Sequence, residues 1–206
     1  MALQNRVDPF GRLMETPARG AWMGNRGLLH DEHQRIRRAF RLKAWLICLL
    51  EFKGRRRTVM TPGLYTELFF LDEATALAAG HRPCAECRRA DYNRFRAAAA
   101  SGAGRPFAKA GDLDEALHTD RWGADGQKPI VWASAADLPD GVFVEREGEA
   151  WLVAEARLHR WTPRGYDAVA ALPTEPVRVL TPQLTVGALR AGYRPQIGST
   201  TASTSC

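Results

Sequence analysis

"LDEATALAAGHRPCAEC", Leu71 to Cys87, decides how this 206-residue chain is read. Asp72 is placed to cap a helical run from Glu73 to Ala79. Gly80 stands where a left-handed residue ends a helix. Pro83 then suits the opening turn of a second helix, "CAECRRADYNRFRAAAA", in which Tyr92, Phe95 and Ala99 recur at helical spacing. A near copy of one part, "ALRAGYRP", returns at Ala188 to Pro195 without cysteines. The Ala-Gly-x-Arg-Pro element is thus a helix stop and restart in its own right, and evidence for a metal rests on Cys84 and Cys87 alone. "VMTP" at Val59 and "VLTP" at Val179 precede the two copies at unequal distances, which favours one local solution used twice over a duplication.

Upstream, "AWLICLLEFKGRRRTVM" reads as a β-hairpin turning at Lys53-Gly54, with Arg55, Arg56 and Arg57 just past the turn. "HDEHQRIRRAFRLKAW" reads as a short basic helix with Ile36 and Phe40 on one side. Residues 1–29, rich in glycine and interrupted by Pro9 and Pro17, read as an irregular arm. Downstream, "SGAGRP" at Ser101 reads as a link between halves. Two strands meeting at Glu147-Gly148, a further strand through "EPVRVL" and a helix opened by Thr181-Pro182 and stopped by Gly192 follow. The expected organisation is an arm over 1–29, a basic module over 30–101, a smaller α+β half over 102–198 and a disordered tail over 199–206. The fold class is α+β: a hairpin with helices, then a strand-rich half with a terminal helix.

Net charge is +6, but it is unevenly spread: residues 1–110 hold 20 Lys and Arg against 10 Asp and Glu, and residues 111–206 hold 9 against 13. A basic first half rich in arginine points to phosphate contact. No stretch has the length of a membrane span and the N-terminal residues lack a secretory pattern, so no membrane partner and a cytoplasmic location are expected. In a reducing compartment a Cys-x-x-Cys is a metal or redox pair.

The stretch from Trp45 to Arg88 resembles the second half of the zinc-binding domain of Ada-type DNA-repair proteins, where a helix ends in Ala-Gly-aromatic-Arg-Pro-Cys-x-x-Cys. The chain as a whole also resembles a bacterial protein family sharing this motif, a likeness that implies no function. The Ada resemblance implies that Cys84 and Cys87 are the second pair of zinc ligands. The first pair has no counterpart, because the preceding segment reads "RTVMTPG", and with it the methyl-accepting cysteine is lost.

Zinc needs four ligands, or three and a water. His30 is the preferred third ligand, with His33 and His81 as alternatives. Cys48 alternates with Leu46, Leu50 and Phe52 and reads as an inert core thiol. Cys206 ends a polar tail and is a poor candidate. A redox role for Cys84 and Cys87 lacks a thioredoxin-like context. The expected function is nucleic-acid binding along the phosphate backbone by Arg55, Arg56, Arg57, Arg88 and Arg89. The alternatives are a metal-dependent nuclease or DNA-modifying enzyme using His30, Asp31 and His118, and a non-catalytic interaction protein. Trp22, in an arginine-bearing arm, is a candidate base-stacking residue.

Overall fold

Short apolar segments separated by turns build two six-stranded sheets around one buried helix. The computed structural model describes residues 2–54, 58–123 and 125–199. In chain order the elements are β1 (Gln4–Val7), β2 (Leu13–Glu15), β3 (Trp22–Asn25), β4 (Leu46–Cys48), β5 (Leu68–Phe70), α1 (Glu73–Ala78), β6 (Arg82–Pro83), α2 (Arg89–Ala103) and α3 (Ala110–Arg121). There follow β7 (Val131–Ala133), β8 (Phe143–Arg146), β9 (Glu149–Ala154), β10 (Arg157–Thr162), β11 (Gly165–Ala171), β12 (Val177–Val179) and α4 (Gln183–Arg190). The fold is α+β and ends in a helix, as expected. No helix among the described residues is long and apolar enough to cross a membrane.

The first sheet has the order β2-β1-β5-β3-β4-β6 and is mixed, because β1 runs parallel to β5 and β4 parallel to β6. The second has the order β11-β10-β9-β8-β12-β7 and is antiparallel throughout. Helix α1 is buried along its whole length. Its Leu77 belongs to a core shared with Phe70, Phe95, Leu117, Val153 and Leu189, while Ala74 and Ala78 pack with Phe143, Leu152 and Tyr166. One set of buried side chains therefore runs from residues of the first half into residues of the second.

Being buried, α1 must satisfy its polar entry internally. Asp72 Oδ1 caps the helix by accepting from the Thr75 N–H at 2.8 Å, and its Oδ2 accepts from the Tyr166 hydroxyl and the Gly198 N–H. Glu73 accepts from the Tyr193 hydroxyl at 2.6 Å and the Gln196 N–H at 3.0 Å, and pairs with Arg88 at 2.9 Å.

The two copies of the glycine stop are closed in the same way. His81 N–H donates to Ala76 C=O and Tyr193 N–H to Ala188 C=O, each at 3.0 Å, with Gly80 and Gly192 at φ +90° and +102°. This six-to-one bond around a left-handed glycine is a Schellman stop, so a shared capping need accounts for the repeat. At Gly80 a Cβ would also stand 2.6 Å from the Arg121 side chain.

Five local expectations are corrected. Residues 1–29 contain three strands, because β1 and β3 each pair with β5. The basic segment after His30 is no helix: His30 bridges Ile36 across a turn in which Gln34 has φ +60°. Two apolar residues give too narrow a stripe to dock a helix against the core. Lys53 and Gly54 do form a turn with φ positive at both, yet Thr58–Met60 form no strand, and β4 lies between β3 and β6 instead. Pro83 belongs to β6 rather than to a helix, and "SGA" of the expected link completes α2 before Gly104 caps it. The polar tail beyond Ser199 lies outside the described residues.

Candidate metal centre

The site is set by register. Strands β4 and β6 pair in parallel with Leu46 opposite Arg82 and Ile47 opposite Pro83, and the Cys84 N–H donates to Ile47 C=O at 2.9 Å. The next residues along, Cys48 and Cys84, are thereby neighbours. From Cys84 the chain turns back at once, Arg88 N–H donating to Cys84 C=O at 3.0 Å, which returns Cys87 to the same point. The ligand atoms of Cys48, Cys84 and Cys87 all lie within 4.8 Å of one another. A tetrahedral ion with metal–sulfur bonds of about 2.3 Å holds its sulfurs about 3.8 Å apart, so three thiolates close on such an ion with small movements.

The surroundings favour a thiolate at Cys84. Hydrogen bonds from the Cys48 and Cys87 thiols hold Cys84 far below the ordinary thiol range, and the Cys87 and Glu86 N–H groups donate to the same sulfur. The Glu86 N–H lies 3.4 Å from Cys84 Sγ. Cys87 receives hydrogen bonds from Cys48 and the Leu49 N–H, yet the hydrogen bond it shares with Cys84 and its burial push its thiol up on balance. Cys48 is pushed up, first by the hydrogen bonds it shares with Cys84 and Cys87 and then by burial. Cys87 also sits just before the N-terminus of the 15-residue α2, whose dipole favours negative charge. Soft sulfur donors of this kind suit zinc, copper(I) or iron–sulfur chemistry, not magnesium or calcium.

The three sulfurs line a groove of about 710 Å³, walled by apolar residues such as Phe52 and Phe69 and also lined by Tyr65, Glu67 and Glu86. Among the described residues no fourth His, Cys, Asp or Glu joins the cluster.

The structure brings Cys84 and Cys87 together and adds Cys48, which the alternation of β4 marks as core. Cys48 is indeed buried, but its sulfur meets two others. His30 is not in this group: its Nδ1 meets the Thr66 hydroxyl at 2.6 Å and its Nε2 the Thr61 carbonyl at 3.3 Å. His81 is fully buried and takes a hydrogen bond from Arg26 Nε. His33 is exposed, and His118 packs edge-on against Phe40. Asp31 is engaged by Arg37 at 2.7 Å and by the N–H groups of His33 and Arg35.

The arginines divide. Arg88 is not a surface residue: its side chain is 1% exposed, paired with Glu73 and Asp91 and stacked 4.0 Å from the Trp22 ring. That contact buries Trp22 within β3, so it offers no free face for a base. Arg89 is exposed, and Arg55, Arg56 and Arg57 lie outside the described residues. No sequence period announces Cys48, because its partner strand is 36 residues away and pairs in parallel.

No protein-family model, no curated protein and no solved structure matches the chain.

Proposed function

We propose that the chain is a zinc protein in which Cys48, Cys84 and Cys87 hold the ion and leave its fourth position to a water or substrate atom in the groove. The observation that carries this reading is the three-sulfur cluster on the wall of a substrate-sized groove. Three protein ligands with an open position are the pattern of a catalytic zinc, whereas structural sites are closed by four. Bound there, zinc would supply a water of lowered pKa. Glu51, Glu67 and Glu86, which line the same groove, are the carboxylates that could take its proton, which makes metal-assisted hydrolysis the reaction class. The Ada resemblance is compatible with zinc at Cys84 and Cys87 and supplies no activity.

Elemental analysis of the purified protein, followed by cobalt(II) substitution, tests the reading. One ion per chain, thiolate-to-cobalt absorption and a visible band that shifts when a small anion is added are expected. Metal retained in full by both Cys48→Ser and Cys84→Ser would sink it.

A second reading, nucleic-acid binding, is favoured by the exposed Arg35, Arg38, Arg41 and Arg89 on the basic half. Binding of an oligonucleotide that falls steeply between low and moderate salt is its expected mark, through release of counterions. Affinity indifferent to salt would remove it.

A further inference from the structure

A second cleft, to which none of the three cysteines contributes, is lined by cations with little to balance them. It measures about 340 Å³, and Arg12, Arg26, Arg121, Lys128 and Arg178 all line it beside Trp45. Arg178 is paired with Glu145 at 2.7 Å. Arg26, Arg121 and Lys128 are in no ion pair among the described residues. Asp8, Asp114 and Asp120 act on them only from farther off.

Arg26 is 2% exposed and Arg121 3%. Their guanidinium groups lie 4.0 and 4.3 Å from the same Trp45 ring. Each spends part of its donor set on backbone: Arg26 on Gly11 C=O and on His81, Arg121 on the carbonyls of Gly80 and Lys43. Lys128 Nζ donates to Ala78 C=O at 2.6 Å. What remains is unusual. Arg26 Nη2 and Arg121 Nε are buried and have no hydrogen-bond partner among the described residues. Leaving a buried donor unsatisfied is costly, and more so when it is charged.

Burial, with the repulsion of neighbouring arginines, lowers the proton affinity of all three cations. A group with several acceptor oxygens and a double negative charge answers each of these deficits together. A single carboxylate would leave more than one of the three charges unbalanced. Arginine forks beside aromatic faces are suited to phosphoryl oxygens.

We infer that this cleft is a binding site for a phosphate group, taken as inorganic phosphate or as a phosphate monoester, with Arg26, Arg121 and Lys128 as its ligands. Isothermal titration of the full-length protein with inorganic phosphate, with a nucleoside 5′-monophosphate and with the unphosphorylated nucleoside, at matched ionic strength, tests the assignment. Saturable binding of one or both phosphates, and none of the nucleoside, is expected. Tighter binding of the monophosphate identifies the monoester as the occupant, and equal binding identifies free phosphate. Lys128→Met, which spares the two buried arginines, is expected to weaken binding at least tenfold while circular dichroism stays unchanged. Arg121→Gln is the second variant, with the same expectation. Heat of binding no greater than that of chloride, or phosphate binding unchanged in both folded variants, overturns the inference. In that case the three cations serve only as caps for backbone carbonyls.

Discussion

Cys84 donates its N–H to the carbonyl of Ile47, and that one parallel-strand hydrogen bond sets Cys48 beside the Cys-x-x-Cys turn. The three thiols then share one neighbourhood without any sequence spacing that announces it. Metal content follows this register: Cys48→Ser and Cys84→Ser are each expected to release most of the bound metal. Cys206→Ser is expected to leave one ion per chain. Plasma emission spectrometry on the three variants, beside the parent, checks it. Because metal-binding energy adds to folding energy, a chelator is also expected to lower the thermal midpoint of the parent but not of Cys84→Ser.

What the sequence allowed one to read was local. The Asp72 cap, the glycine stops at Gly80 and Gly192, the turn at Glu147-Gly148 and the terminal helix each follow from residues a few positions apart, and each is present. What it withheld was pairing at a distance. Leu46–Cys48 looks like a hairpin strand because apolar residues run up to a turn, but only the tertiary fold places β6 beside it. The same limit hides Arg88, which reads as a surface charge on a basic helix. Its burial depends on Glu73 and Trp22, neither of which sequence order places beside it.

Arg88 and Glu73 are both about 1% exposed, so the pair is a buried one. Removing one partner leaves the other charge uncompensated, at a cost of about 3–5 kcal/mol. Arg88→Met is expected to lose that much stability in urea unfolding. Glu73→Gln is expected to lose less, because Gln keeps an acceptor for Tyr193, and the double variant less than the sum of the two. A loss for Arg88→Met within the range of a surface substitution would mean that the ion pair and the stacking on Trp22 do not hold the turn after Cys87.

Helices α2 and α4 meet at glycines. A Cβ built on Gly102 would lie 2.5 Å from the backbone carbonyl of Gly187, a distance no side chain tolerates. Gly102→Ala is expected to push the helices apart and cost about 1–3 kcal/mol, the range for overpacking a well-packed contact. Gly111→Ala, where a Cβ meets nothing within 4 Å, is the matched control and is expected to be neutral or slightly stabilising. Differential scanning calorimetry of the two variants separates contact from helix propensity.

His81 gives the stability a pH dependence whose sign is fixed by its surroundings. Burial first, then the charges of Arg26 and Arg121, hold its pKa well below 6.5 in the fold. The unfolded chain takes up a proton near 6.5 while the folded one does not, so the unfolded state binds more protons as the pH falls. The penalty from His81 is therefore absent well above pH 6.5 and grows from there downward. Asp31 acts in a separate window, since backbone and Arg37 hydrogen bonds hold it at about 2 against an ordinary 3.8, and its contribution is lost only below about pH 4. Urea midpoints measured from pH 8 to pH 5 are expected to fall for the parent. For His81→Gln, which keeps an acceptor for Arg26 Nε but cannot take up a proton, the curve is expected to flatten over that range. Equal slopes for the two proteins would show that His81 is protonated in the fold and that Arg26 does not exclude the second charge.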